Sequence, residues 1–188
     1  MEETRIHIKN VVCQRCIMTV EEILHKLNIA YLQVNLGEVI LPVELDSLQK
    51  NQVQKEFKKV GFEIIEDRNE KLINAIKSLI IDEIYSDESS SDKLSSLLTK
   101  KLNYDYSHIT HVFSEIEGQS IQKFYNAIRI ERVKELLNYD DNSIAMIADH
   151  LGYSTPAYLS TSFKKSTGFT PSEYKSLHIQ DRKSLDSV

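Results

Sequence analysis

The C-terminal half of the chain repeats itself at an offset of 50 residues: Ile109 matches Leu159, Phe113 matches Phe163 and Gly118 matches Gly168. Asp105 matches Thr155 and Ser120 matches Thr170, and all four are residue types that cap helix N-termini. Pro156 then falls on the first helical position, where its missing N–H costs nothing. Phe124 matches Tyr174, and upstream Leu94, Leu97 and Leu98 match Ile144, Ile147 and Ala148. Each copy predicts a helix, a short turn, a second helix ending at glycine, and a new cap. That is a helix-turn-helix written twice, with residues 120–138 as a helix between the copies.

The second copy reads "IADHLGYSTPAYLSTSFKKSTGFTPSEYK" over residues 147–175. Ile-Ala, Gly-Tyr-Ser, Tyr-Leu, Phe-Lys-Lys, Gly and Thr-Pro-Ser-x-Tyr at these spacings resemble the DNA-binding domain of the AraC family of transcription regulators. The resemblance runs from about Lys71 to His178 and places the family's first helix on residues 71–86. There "KLINAIKSLIIDEIY" sets Leu72, Ile76, Leu79, Ile80 and Ile84 on one face, and "SDESSSD" follows as a polar loop. That apolar stripe reads as the helix packing on its own domain, with a dimer seam as the alternative.

Residues 1–67 alternate in type. "RIHIKNVV" has strand periodicity, with Ile6 and Ile8 opposite Arg5, His7 and Lys9. A helical pattern follows through Ile17, Val20, Ile23, Leu24 and Leu27. "AYLQVNLGEVILPVEL" reads as two strands turning at Gly37, "SLQKNQVQKEFKKVG" as a helix with Ser47 as its cap and Gly61 as its stop, and "FEIIE" as a last strand. Strand, helix, strand, strand, helix, strand is the split β-α-β, ferredoxin-like order. The expected class is therefore α+β: a ferredoxin-like βαββαβ domain over residues 1–67, an all-α domain with two helix-turn-helix units over 68–178, and a polar tail over 179–188.

Cys13 and Cys16, the two cysteines of the chain, lie between the first strand and the first helix. Cys-x-x-Cys there, with "VGFE" at residues 60–63, resembles the heavy-metal-associated domain of soft-metal chaperones and transport ATPases. The family's usual methionine two residues before the first cysteine is Val11 here. Cys16 falls in the first turn of a helix beside Arg15, and both surroundings lower a thiol pKa. Two soft sulfurs suit Cu(I) or another soft transition metal. Zinc is the lesser candidate, because it prefers four ligands and no histidine lies near: His7 should face away on the sheet and His25 is more than two helical turns past Cys16. Met18 falls on the wrong side of the helix to complete the set. A redox-active pair and a vestigial pair stand as alternatives. The redox reading is weakened by the hairpin that follows in place of a second β-α-β crossover.

The buried stripe of each second helix fixes the exposed one. In the first copy Ile109, Val112, Phe113 and Ile116 should face inward, leaving Tyr106, Ser107, Thr110 and His111 outward near the N-terminal end. In the second, Leu159 and Phe163 face inward, leaving Pro156, Ala157, Ser160 and Thr161. The resemblance places these positions against base edges in the major groove. None is the Arg, Gln or Asn that makes bidentate base contacts, which predicts modest direct readout, an A·T-leaning site and reliance on DNA shape. Lys164 and Lys165 follow Phe163 and suit phosphate, whereas Ser114, Glu115 and then Glu117 stand in the first copy. The second unit should dominate affinity. His108 and His111, three apart, read as a solvent-facing and a DNA-facing residue before they read as metal ligands.

Charge supports local contact over a general field. Residues 1–67 carry 8 Lys+Arg against 11 Asp+Glu, a net −3, and residues 68–188 carry 15 against 17, a net −2. No apolar run spans a bilayer and the N-terminus is polar, so a cytoplasmic protein is expected. No nucleophile–base pairing, Gly-rich phosphate loop or paired carboxylates point to an enzyme. The reading is a metal-responsive transcription regulator, with promoter DNA as partner, RNA polymerase as a second candidate, and no membrane. A soft-metal carrier whose helical domain docks on a protein, and a thiol-redox regulator, are the other two readings.

Overall fold

The computed structural model describes residues 4–86, 93–139, 142–177 and 183–187. By packing the chain forms two compact units, Met1–Leu79 with Ser95–Val112, and Ile80–Leu94 with Phe113–Val188.

The first unit begins with β1 (Thr4–Lys9), α1 (Gln14–Lys26), β2 (Gln33–Asn35), β3 (Glu38–Leu41), α2 (Ser47–Lys59) and β4 (Glu63–Ile65). The strands form one antiparallel sheet in the order β2-β3-β1-β4. Register sets Ile6 opposite Val39 and Val34 opposite the same residue, so alternate side chains share one face. Ile8, Val20, Leu24, Val39, Leu41, Val53 and Phe57 close the core between sheet and helices. The β2–β3 turn needs glycine: Gly37 has φ +75°, and a Cβ there would stand 2.5 Å from the Asn74 amide and the Ser78 hydroxyl. The Gly37 carbonyl accepts from the Ile8 N–H at 2.8 Å and from the Asn74 amide at 3.0 Å. One expected cap is corrected. Asp46, not Ser47, caps α2, because its carboxylate takes the Gln49 N–H at 2.7 Å while the Gln49 side chain takes the Asp46 N–H.

Helix α3 (Arg68–Tyr85) carries the expected stripe, with Leu72, Ile76, Ile80 and Ile84 buried by the chain itself and Leu79 half-buried. The "SDESSSD" loop lies, from residue 87 on, outside the described residues. Then come α4 (Leu94–Leu102), α5 (Tyr106–Glu117), α6 (Ile121–Leu137), α7 (Ile144–His150), α8 (Pro156–Thr167) and α9 (Pro171–Ser176). Among the described residues no helix is long and apolar enough to cross a membrane.

In the second unit Phe124, Ile128, Val133, Ile147, Leu159, Phe163 and Tyr174 are buried. Helix α6 also buries Glu131 and Lys134, an ion pair of 3.0 Å, and the second Glu131 oxygen takes the Lys183 N–H at 2.8 Å. A carboxylate with both oxygens engaged is a tolerable buried charge.

Candidate functional site

Caps and left-handed turns define both helix-turn-helix units. Ser143 caps α7 through the Met146 N–H, Gly152 turns at φ +63°, and Thr155 caps α8 through the Tyr158 N–H at 3.0 Å, with Pro156 first in the helix. In the first unit the left-handed residue is Asn103 at φ 55°, and Asp105 precedes α5 with its carbonyl on the Ile109 N–H. Helices α5 and α8 span residues 106–117 and 156–167, so the 50-residue offset holds in structure as in sequence. Gly118 and Gly168, both at positive φ, end them.

On α8, Leu159 and Phe163 point inward and Phe163 meets Tyr174 edge-on at 5.3 Å. Pro156, Ala157, Thr161, Lys164 and Lys165 are exposed and Ser160 is half-buried. On α5, Ile109, Val112 and Phe113 are buried, Ser107 and His111 are exposed, and Tyr106 and Thr110 are half-buried. Ile116 was expected inward and is corrected: it is 46% exposed, in the last turn of α5 two residues before Gly118. Ser114 and Glu115 are exposed where Lys164 and Lys165 stand in the other copy.

The hydroxyls have a direction that sequence could not give. Ser160 donates to the Pro156 carbonyl and Thr161 to the Ala157 carbonyl, each at 3.0 Å, and Thr110 lies 3.0 Å from the carbonyls of both Tyr106 and Ser107. With each proton bound inside its own helix, oxygen lone pairs and methyls are what remain for a partner.

Two residues here escaped the sequence reading. Tyr158, 57% exposed, shares the N-terminal stretch of α8 and meets Tyr153 with ring centroids 6.1 Å apart and planes tilted by 56°. Its signal was the offset itself, which pairs it with the exposed His108. The second is Arg129 on α6, only 7% exposed. Its Nη2 donates to the Leu151 carbonyl at 2.6 Å, and its guanidinium lies 3.6 Å from the Tyr153 ring centroid and 5.3 Å from that of Tyr125. Arg129 thus clamps the turn between α7 and α8 from behind.

Cys13 is the N-cap of α1 and Cys16 lies in its first turn, with the sulfurs 3.4 Å apart and both thiols free and half-buried. Burial raises the Cys13 pKa, but the N–H and side chain of Cys16, the Arg15 N–H and the Arg15 charge outweigh it and leave the thiol below its ordinary value. Cys16 lies above its ordinary value through burial and the neighbouring Cys13. Val11 is 2% exposed within the core, so it seats the loop by packing. Met18 is exposed, and the described residues contain no group of three or more His, Cys, Asp or Glu able to hold a metal. The donor set is two sulfurs. At the zinc–sulfur length of about 2.3 Å an ion fits between them bent, and a linear pair would need the sulfurs about 1 Å further apart.

Residues 98–176 match the family of helix-turn-helix domains. An uncharacterised HTH-type transcriptional regulator of Staphylococcus aureus is 32% identical over 107 residues, which is 57% of this chain and 14% of that protein. The HTH-type transcriptional activator RhaR of Mannheimia succiniciproducens is 28% identical over 109 residues, covering 51% of this chain and 40% of that one. The chain thus spans about a seventh of the length of the first of these relatives. Among solved structures, the C-terminal domain of AraT, a response regulator from Geobacillus stearothermophilus, aligns with TM-score 0.51 at 24% identity, over 62% of this chain and 94% of that one. An AraC-type DNA-binding domain-containing regulator from Chromobacterium violaceum aligns with TM-score 0.51 at 20% identity, over 60% and 96%. The C-terminal part of this chain is a double helix-turn-helix domain.

Proposed function

We propose that the chain is a DNA-binding transcription regulator of the AraC family whose N-terminal βαββαβ domain binds a soft metal ion through Cys13 and Cys16. The observation that carries the DNA reading is α8: a capped helix with an exposed, uncharged N-terminal stretch and Lys164 and Lys165 exposed toward its other end. In a helix-turn-helix the first part of that helix meets base edges and the flanking cations meet phosphate. The names of the relatives, transcriptional regulators and an activator, agree with this. Promoter DNA is the partner, with RNA polymerase as the second that an activator would touch.

For the N-terminal domain, the strand order β2-β3-β1-β4 with both helices between strands supports a ferredoxin-like, heavy-metal-associated fold. Two thiols at the start of α1, one with a lowered pKa, support a soft ion such as Cu(I) over zinc. The ion would act by changing DNA affinity or polymerase contact. The unequal thiols also favour a second reading, a disulfide switch on the same DNA-binding domain.

The test is selection of duplexes from a random pool by reduced protein, with Cu(I), with a chelator, and with a thiol oxidant. Enrichment of one sequence whose affinity shifts with Cu(I) supports the reading. A shift with oxidant alone moves it to redox control. No enrichment under any condition overturns it.

A further inference from the structure

We propose that Arg68 supplies the DNA-phosphate contact of the first helix-turn-helix, in place of the lysines that its recognition helix lacks. The inference rests on the DNA-binding reading above. The repeat exposes the deficit: Lys164 and Lys165 follow Phe163, but exposed Ser114 and Glu115 follow Phe113. A unit that docks against a polyanion with an acid at that place needs its cation from elsewhere.

An open cleft of about 730 Å3 lies where α4 turns into α5, lined by Arg68, Asn69, Asn103, Tyr104, Asp105 and His108. Arg68, exposed in the first turn of α3, reaches across and donates through Nη2 to the Tyr104 hydroxyl at 3.2 Å. The Tyr104 ring rests on His108 with centroids 5.2 Å apart and planes tilted by 33°. Tyr104 precedes α5 by two residues and His108 sits in its first turn, so the guanidinium is fixed beside the start of the recognition helix.

The donors match a phosphate. A guanidinium has five N–H groups, and the rest of the fork can take two phosphate oxygens side by side. Because the Tyr104 oxygen accepts from Arg68, its own proton is available to a third oxygen. A recognition helix that enters the major groove by its N-terminal end brings the preceding turn alongside the sugar-phosphate backbone, which is where the cleft lies. Asp105 is the acid in the same cleft. It leaves the local charge near balance, so the contact depends on the fork of Arg68 and not on a general positive field.

The experiment compares the full-length wild type with Arg68→Ala, Arg68→Lys and the double variant Lys164→Ala/Lys165→Ala on the selected duplex. It reads affinity across salt concentration, and phosphate-ethylation interference to locate the backbone contacts. Arg68→Ala should lower affinity and reduce the salt slope by about 0.9, one phosphate contact. It should erase interference at a phosphate that the lysine variant leaves intact. Arg68→Lys should restore the slope but not the full affinity, since a point charge replaces a fork. Circular dichroism should be unchanged in all variants, because these side chains are exposed. If the wild type and the lysine variant behave as DNA binders while Arg68→Ala keeps the wild-type slope and interference pattern, the inference is wrong and the DNA reading stands. If Arg68→Ala loses affinity with no change of slope, its role is structural and the inference is wrong. A wild type that binds no duplex at low salt overturns both.

Discussion

Replacing Arg129 by methionine tests whether the turn of the second helix-turn-helix is held by a buried cation. The Leu151 carbonyl ends α7, where backbone acceptors lack helical partners and the dipole is negative. Arg129 satisfies it at 2.6 Å with a charged donor, an interaction of about 1.5–3 kcal/mol. The stack on Tyr153 adds about 1–2 kcal/mol when desolvated. Against these stands the cost of burying a guanidinium that no carboxylate pairs with among the described residues and whose Nε has no acceptor. Methionine keeps most of the stem's packing and removes the cost along with the bonds, so a net loss of about 2 kcal/mol is expected. Arg129→Ala also forfeits the stem, roughly three methylenes at about 0.8 kcal/mol each, and should lose about 4 kcal/mol. Hydrogen exchange read by mass spectrometry on peptides within residues 142–167 isolates this turn, which whole-chain melting of a two-unit protein does not. For methionine, amides of α7 and α8 should exchange about 30-fold faster, the equivalent of about 2 kcal/mol. Unchanged exchange in the methionine variant would refute the clamp. Equal losses in both variants would assign everything to the hydrogen bond and nothing to the stem.

Reduced protein should bind about one Cu(I) per chain, and Cys13→Ser or Cys16→Ser should abolish tight binding in a competition titration, because one sulfur cannot hold a two-coordinate ion; unchanged affinity in both would refute the site. Lys164→Ala/Lys165→Ala should cut the salt slope of DNA binding by roughly one to two units, and an unchanged slope would deny the second unit its anchoring role. Thr161→Ala should alter preference at one or two base positions while Thr161→Val does not, since the hydroxyl proton is already held by Ala157 and the methyl is what a thymine would meet; equal effects of both substitutions in a binding selection would show that the oxygen is read instead. His7, its pKa lowered mainly by burial and further by Lys71 and Arg5 against the raising effect of Glu38, takes up its proton at lower pH in the fold than in the unfolded chain, where it protonates near 6.5. Its contribution to stability is therefore present above that pH and lost as pH falls through it, and denaturation midpoints should show this loss in the wild type and a smaller one in His7→Gln.

Which parts were legible follows from what a period can say. A cap needs a side chain three residues from an N–H, and a left-handed turn favours glycine, so Thr155, Ser120, Thr170, Gly118 and Gly168 could be placed from local sequence alone. The strands around Ile6, Val39 and Ile64 followed from alternation for the same reason. A period gives a direction but not a neighbour. Ile116 has the spacing of Ile109 and the direction that goes with it, yet the last turn of α5 has little to lie against. Ser47 and Asp46 are both good caps, and the reciprocal bonds between Asp46 and Gln49 decide between them. Arg129 was invisible because its acceptor is 22 residues away on another element, and an arginine on a helix otherwise reads as solvated.

The two copies separate what the fold requires from what a partner requires. Positions matched in both, Ile109 with Leu159, Phe113 with Phe163 and Gly118 with Gly168, are buried or at positive φ, and each would cost folding if changed. On the outer face the copies differ in chemistry: Glu115 against Lys165, His111 against Thr161, Ser107 against Ala157. Differences on that face are what a scaffold allows when its stability does not depend on them, so each copy is free to meet a different stretch of partner. The charges then order the copies by chemistry. The second brings its cations on its own recognition helix, while the first has an acid there and the Arg68–Tyr104 pair beside its start. A partner that is uniformly negative along its length, as duplex DNA is, would be gripped at fixed points in both copies by different residues from different elements. The salt slope would then fall independently for Arg68 and for Lys164 with Lys165, and additivity of the two losses is the quantitative sign that both copies bear on the same polyanion.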